Sequence, residues 1–559
     1  MKDRKWWKQS VFYQVYPKSF LDTDGDGIGN INGITRRLDY LKDLGINAVW
    51  VCPVYCSPMK DNGYDISDYY GIQPEFGTLE DVKELIREAD KRKIRIIMDL
   101  VVNHCSDRHA WFQSVKADPE SPYRDYFIIR KGGKDGAAPN NWRSVFGGSV
   151  WEPLGDGEYY YHTFSKEQPD LNWECERMRK EIYEMMRYWL DLGISGFRID
   201  AITFIKKDPS FRSLKPDGPD GLAGLGEVSE NYPGIEDFLA EMKRETYGRY
   251  DAFSVAEISR VGDEMMEKMA GENGVFDSIF DFSYLDLDVV DGQWYKRREI
   301  TAGMIKECMA HSQTHIQACG GLLSVVLENH DQNRSLNKYL KKAEDNFPGA
   351  SMLATWNLTL RGVPFLYQGE EIGMTNRSWE SMEEFDDIST KGQYKTAVEA
   401  GVSEEEGLEI CSFRSRDNAR TPMQWDDRAN AGFSDHTPWL PVNENYRTVN
   451  VRSQEEDPHS ILNYYRKLIR LRRSGDYSEV LSFGEISFIE DIGENLIGYR
   501  RTTEDKALTV LLNFGDRCEP WPAAVPAGMK KILGNYDTDQ ESGKGLRPYE
   551  ALILGSEYF

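Results

Sequence analysis

The stretch GISGFRIDAI, residues 193–202, is an apolar run broken by two charges. Phe197, Ile199 and Ala201 alternate as along one side of a buried strand, while Arg198 and Asp200, two residues apart, fall together on the other. An isolated charge inside a sheet is costly, so a guanidinium and a carboxylate set there as a pair require a reason. The same design recurs in NAVWVCPV (47–54), RIIMDLVVNH (95–104), DAFSVAEIS (251–259), LLSVVLENHD (322–331) and GVPFLYQGEE (362–371), each a short apolar run that stops at polar groups. Helical patterns lie between: Ile34, Leu38 and Leu41; Leu79, Val82 and Ile86; Met178, Ile182, Met185 and Trp189; and SILNYYRKLIRLRR near residue 465. Strands alternating with helices pair in parallel. Their recurrence over most of the chain predicts an α/β protein built on a closed (β/α)8 TIM barrel, with its chemistry at the carboxyl ends of the strands.

With 559 residues, the chain exceeds one simple core. Residues 1–104 and 174–476 read as the two parts of the barrel. Between them, residues 105–173 are rich in Gly, Pro, Asn and aromatics and read as an inserted domain after the third strand. Residues 376–457 form a second long excursion. Residues 477–559 turn hairpin-like in ISFIED, LIGYRR and ALTVLLNF, which predicts a C-terminal antiparallel β domain, a β-sandwich.

The net charge of −25 disfavours nucleic acid and anionic membrane as partners and suits a neutral substrate. No secretory leader or membrane-crossing run is evident. Eight scattered cysteines lack metal or disulfide spacing, so a reduced, cytoplasmic monomer is the expectation. Trp6, Trp7 and the tyrosines of EYYYHTF are expected to pack and not to stack on a ligand.

Three acids fall at expected strand ends: Asp200, Glu257 and Asp331. One acid alone is readily a helix cap. Three pointing into one barrel mouth repel each other, which raises the pKa of at least one, while Arg198 is placed to keep Asp200 ionised. A carboxylate nucleophile with a protonated carboxylic acid is the equipment of retaining glycoside hydrolysis.

DLVVNH (99–104), GFRIDAI (196–202), VAEI (255–258) and ENHD (328–331) resemble the four ordered signature regions of glycoside hydrolase family 13, the α-amylase family. QPDLNW (168–173) resembles the fifth, as used by the oligo-1,6-glucosidase and α-glucosidase branch; VFYQVYPKSF, DNGYDISDY, LYQGEEIGM and SRDNARTPMQW are similar to that branch too. The resemblance implies Asp200 as nucleophile, Glu257 as acid/base and Asp331 as a third carboxylate holding sugar hydroxyls. It implies Arg198 as the orienter of Asp200, and His104 and His330 as partners of glucose hydroxyls. Asp61, Tyr64 and Arg416 would close the far wall, and Asp99 would be either a sugar contact or a structural partner of Arg198. The two excursions are expected to leave a pocket for one terminal glucose, making the enzyme an exo-α-glucosidase on short α-glucosides. Ala201 replaces the valine usual in α-1,6 specialists, whereas Phe204 looks like them. Isomalto-oligosaccharides with some α-1,4 or sucrose activity are the expected substrates.

DTDGDGIGN (22–30) offers Asp22, Asp24, Asp26 and Asn30 in a glycine-rich turn, oxygen donors that suit Ca2+. Gly33 stands where an EF-hand has its glutamate, and an Asx-turn explains the loop equally. The resemblance implies a structural Ca2+ with the Ile28 carbonyl as a further ligand, and no organic cofactor. Trehalose-6-phosphate hydrolase shares the motifs and needs a phosphate grip, for which Lys206 and Lys207 are candidates. The RLDRD motif of sucrose isomerases is absent. A non-catalytic relative, like the transporter heavy chains, would tolerate loss of the acids and would carry a membrane span.

Overall fold

The computed structural model describes residues 5–218, 220–341, 347–526, 529–536 and 545–557. Eight parallel strands close into one barrel: β1 (Phe12–Val15), β2 (Ala48–Val51), β3 (Arg95–Val101), β4 (Gly196–Asp200), β5 (Phe253–Ala256), β6 (Ser278–Phe280), β7 (Leu323–Val325) and β8 (Val363–Tyr367). Each pairs with its sequence neighbours, and β8 returns to β1 with Phe12 opposite Phe365. Both strand faces are buried, one in the barrel and one under helices, so the strands read as nearly unbroken apolar runs. β1 and β6 lie outside the runs recognised from sequence; β6 is three residues between Asp277 and Asp281, too short to show a period.

Helix Glu176–Leu192 buries Met178, Ile182, Met185 and Trp189 and ends at Gly193 in the left-handed conformation. Helix Leu79–Lys91 opens on a capping box between Thr78 and Asp81. Its buried stripe is Val82, Leu85 and Ala89, turned from the expected one, with Leu79 and Ile86 only half-buried. A Cβ at Gly196 would stand 1.9 Å from the Phe253 carbonyl oxygen, so glycine alone lets β4 approach β5 there.

Residues 105–173 contain a three-stranded antiparallel sheet, Ile129–Lys131, Trp151–Gly155 and Glu158–Tyr161. It does not complete its own core. Leu225 and Val228, from the irregular segment after β4, join Trp142, Trp151 and Tyr161, and Trp142 Nε1 donates to the Arg212 carbonyl at 2.8 Å. The later excursion is a helical pair, Ile388–Glu399 and Glu404–Arg414, beside a small core of Trp379, Phe385, Cys411 and Leu440.

Among the described residues the C-terminal part holds one five-stranded antiparallel sheet, not the two sheets of a sandwich. Alternation explains why one suffices. Leu508, Val510, Leu512 and Ile553 face the main core, while Leu511, Leu552 and Leu554 meet Val525 and Leu546 from loops.

Just past β8, Glu370 is buried and accepts hydrogen bonds from Tyr465 Oη (2.9 Å) and the Tyr367 amide (3.2 Å). Burial, reinforced by nearby Glu328, pushes its carboxyl up to about 8. A folded value above the unfolded one means the folded chain holds the proton to higher pH. The resulting stability is complete below the ordinary value of 4.5 and is lost as pH rises through about 8. Glu370→Gln is therefore expected to gain stability relative to the parent as pH rises from about 5 to about 8, read as the difference of melting temperatures. A pH-independent difference would show that Glu370 gives up its proton normally.

Candidate active site

At the carboxyl ends of β3, β4 and β5, one guanidinium holds three carboxylates. Asp99 on β3 stands in register with Arg198 on β4, and Glu257 follows β5 immediately. Arg198 Nη1 donates to Asp99 Oδ1 at 2.8 Å and to Asp200 Oδ1 at 2.6 Å; its Nη2 donates to Glu257 Oε2 at 2.6 Å. Asp99 is wholly buried and also accepts from Trp50 Nε1 and Tyr64 Oη, so it stands behind Arg198. Asp200 and Glu257 reach further out, and with Asp331 they line one cavity.

Arg198 was expected to hold Asp200 permanently charged. Its pull is instead shared among three acids. Burial raises the Asp200 carboxyl well above its ordinary value; Arg198 pulls it down, but Glu257, Asp99 and Asp331 push it up. Burial likewise raises Asp99 to about 6 against the pull of Arg198. In both acids burial works against the pull of the one shared guanidinium. Asp331 differs. Burial would raise it, but His330, Arg416 and Arg420 outweigh that and hold it well below the usual carboxylate range. Burial lowers His330 to about 3, leaving the ring neutral, so the two arginines supply the charge. Arg416 Nη1 lies 3.0 Å and Arg420 Nη2 2.9 Å from Asp331 Oδ1.

The remaining expected residues gather around this centre. His330 Nε2 lies 3.0 Å from Asp331 Oδ2, and the Tyr64 and His330 rings stack with centroids 5.2 Å apart. Arg416 Nη2 reaches Asp61 Oδ1 at 3.2 Å. Ala201 sits in the left-handed region (φ 43°), its amide 3.3 Å from Glu257 Oε2. Three residues not singled out in the sequence hold the wall in place, Asp387 lining the cavity and Arg420 and Gln168 buried behind it. Arg420 belongs to the same SRDNARTPMQW motif as Arg416, and Gln168 opens QPDLNW, donating to Asp61 Oδ2 at 3.1 Å. Asp387 binds Arg416 Nε at 3.0 Å, a pairing that only the fold creates.

The cavity measures about 1770 Å³. That exceeds the ~300–1,000 Å³ that encloses a drug-sized ligand, because one continuous space runs from the acids out between the excursions. The acids line one part; Lys215, Trp294, Arg298 and Gln393 line others. Neither candidate phosphate lysine lines the cavity. Lys207 Nζ is buried against Asp170 Oδ2 at 2.6 Å, and Lys206 pairs with Glu174 at 3.6 Å and lies over the Phe238 ring. Trp7 packs on Phe253 with ring centroids 5.2 Å apart, and Tyr159, Tyr160 and Tyr161 belong to the inserted sheet.

In the 22–30 loop, Asp22 accepts from the amides of Asp24, Gly25 and Gly27 and from Ser434 Oγ. Asp26 accepts from the Ile28 amide, and Asn30 from the Gly33 amide. The donors are all oxygens, which fits a hard cation, although many already accept hydrogen bonds within the loop. Among the described residues, no group of three or more His, Cys, Asp or Glu is arranged to hold a metal ion. No helix among them is long and apolar enough to cross a membrane.

Comparison with known proteins bears on this geometry. Residues 14–479 match the family described as Alpha amylase, catalytic domain. The chain is 44% identical over 560 residues, 99% of each chain, to an oligo-1,6-glucosidase of Parageobacillus thermoglucosidasius. Its fold superposes on the trehalose-6-phosphate hydrolase of Bacillus licheniformis with a TM-score of 0.91 at 38% identity, over 99% of this chain and 100% of that one. With an isomaltulose synthase from Klebsiella sp. LX3 the TM-score is 0.93 at 36% identity, over the same shares.

Removing one partner of a buried ion pair leaves an uncompensated charge and typically costs about 3–5 kcal/mol. Asp99→Ala is expected to lose stability of that order in urea unfolding, together with most activity. A loss below about 1 kcal/mol would mean that Arg198 is held sufficiently by Asp200 and Glu257.

Proposed function

This chain belongs to the α-amylase family of glycoside hydrolases, and from that premise we propose a retaining exo-α-glucosidase that releases glucose from the non-reducing end of short α-glucosides. The observation that carries the reading is the shared guanidinium: Asp200 and Glu257 each meet Arg198 at 2.6 Å within the same cavity. A rigid fork between the two acids favours the ~5–5.5 Å carboxyl spacing of retaining enzymes over the roughly 6.5–9.5 Å of inverting ones.

Glu257, the more exposed of the two acids, gives its proton to the leaving oxygen. Asp200 attacks the anomeric carbon, with Arg198 beside it to stabilise the carboxylate as it delivers its charge. Asp331, kept charged by Arg416 and Arg420, binds sugar hydroxyls as the ring gains positive character. Water, activated by Glu257 as base, then releases glucose with its α configuration retained. His104 and His330 grip the terminal glucose, while Asp61, Tyr64 and Arg416 close the wall beyond it. No step requires an organic cofactor.

Isomalto-oligosaccharides are the favoured substrates. Identity to the oligo-1,6-glucosidases supports α-1,6 cleavage, and the small Ala201 beside Glu257 supports some tolerance of α-1,4 bonds or sucrose. Trehalose 6-phosphate is disfavoured as substrate because Lys206 and Lys207 are spent elsewhere. We read the protein as a cytoplasmic monomer, with a structural Ca2+ held by Asp22, Asp24, Asp26, Asn30 and the Ile28 carbonyl and taking no part in the chemistry.

Asp200→Asn and Glu257→Gln are each expected to cut kcat on isomaltose by several powers of ten, every power corresponding to about 1.4 kcal/mol of barrier. Near-normal turnover in Asp200→Asn would end the assignment. Proton NMR of fresh product should show α-glucose first, and β-glucose first would indicate an inverting enzyme. Chelation should lower the melting temperature by a few degrees; an unchanged value would mean that the loop is held by its hydrogen bonds alone.

A further inference from the structure

His104 lies buried against the cavity, and both of its ring nitrogens are engaged. Nε2 faces the Tyr64 carbonyl oxygen at 3.0 Å, which can only accept. Nδ1 faces Asn103 Nδ2 at 3.2 Å, which can only donate. Both contacts select the tautomer with hydrogen on Nε2. Gln168 Nε2 also approaches Nε2 at 3.1 Å, but its hydrogens go to Asp61 Oδ2 and the Tyr64 carbonyl, so it needs no acceptor on the ring. Burial lowers His104 to about 4, so the ring stays neutral near pH 7 and its tautomer matters.

That tautomer depends on which way the Asn103 amide is turned, since its oxygen and nitrogen are nearly equal in shape. Behind the amide stand two groups of opposite kind. Asp170 Oδ2 accepts from Asn103 Nδ2 at 3.2 Å, and Lys207 Nζ lies 3.5 Å from Asn103 Oδ1. Turning the amide over would set N–H against an ammonium and C=O against a carboxylate. The pair that enforces this is joined at 2.6 Å, with side-chain exposures of 3% and 0%. Asp170 is fixed in turn by the Thr163 amide at 2.7 Å and the Thr163 hydroxyl at 2.6 Å. Asn103 and His104 follow β3, Asp170 and Thr163 come from the insert, and Lys207 comes from the segment after Asp200.

We infer that the Lys207–Asp170 pair is a positioning device: by fixing which way the Asn103 amide is turned, it keeps a donor on His104 Nδ1 and so holds the ring as the Nε2–H tautomer, bonded to the Tyr64 carbonyl in one orientation at the glucose wall. The inference rests on the glucose-pocket reading. Neither charged residue touches substrate, and each acts through Asn103.

Lys207→Met combined with Asp170→Asn removes both buried charges together, which a fold tolerates far better than losing one. In the parent, nitrogen-15 spectra of labelled imidazoles should show His104 neutral with hydrogen on Nε2; in the double variant the Nδ1–H form should appear. Adding Asn103→Ala to the double variant removes the amide that could turn, so the Tyr64 carbonyl should return hydrogen to Nε2. On nitrophenyl α-glucoside the double variant should lose about 10–100-fold in kcat/KM, mostly through KM, and should add less than about two-fold to the loss in His104→Asn. An unchanged tautomer in the double variant, an Nδ1–H form that persists after Asn103→Ala is added, or a loss that multiplies fully with that of His104→Asn, overturns the inference. If His104→Asn alone leaves the rate unchanged, the glucose contact at this wall fails instead, and the imidazole spectrum by itself decides the positioning role.

Discussion

Everything at the barrel mouth depends on one guanidinium shared by three carboxylates where water is scarce. Arg198 could not be buried without acids around it, and the acids could not be buried so close together without Arg198. One positive charge thus serves three acids, through the same contacts that tie β3, β4 and β5 together.

Asp331 sits outside this economy. It draws on its own pair of arginines, both from the segment after β8, and is kept charged while Asp200 is pushed toward protonation. Two acids that line one cavity thus meet opposite electrostatic surroundings. The polar wall follows the same rule at longer range. Arg416 joins Asp61, Asp331 and Asp387, binding the early loop, the end of β7 and the later helical pair around one side of the cavity. The inserted domain is tied to the segment after β4 through Asp170 and Lys207, and its core is finished by residues of that same segment. Neither excursion is an independent ornament, because each contributes groups that the barrel strands cannot supply.

Several sequence expectations changed once distances were known, each for a physical reason. Lys206 and Lys207 looked like a free basic pair; one is a buried structural charge, because Asp170 lies distant in sequence and adjacent in space. The C-terminal strands were expected to form two layers, yet loops carrying Val525 and Leu546 do the work of a second sheet among the described residues.

The sequence alone was enough to establish a parallel barrel, because strands buried on both faces must be apolar throughout, and polar residues at their ends stand out against that background. It was also enough to nominate Asp200, Glu257, Asp331 and Arg198, since a charge placed in such a run is too expensive to be incidental. Arg420 and Gln168 were legible only as members of motifs, and Asp387 not at all. Their significance lies in partners 107 or fewer residues away for Gln168 and 89 for Arg420, brought together by closure of the barrel. Which proton each acid holds was likewise undecided until the fold was known. A pKa is set by burial and by the charges that face a group in space, and neither quantity is local to the chain.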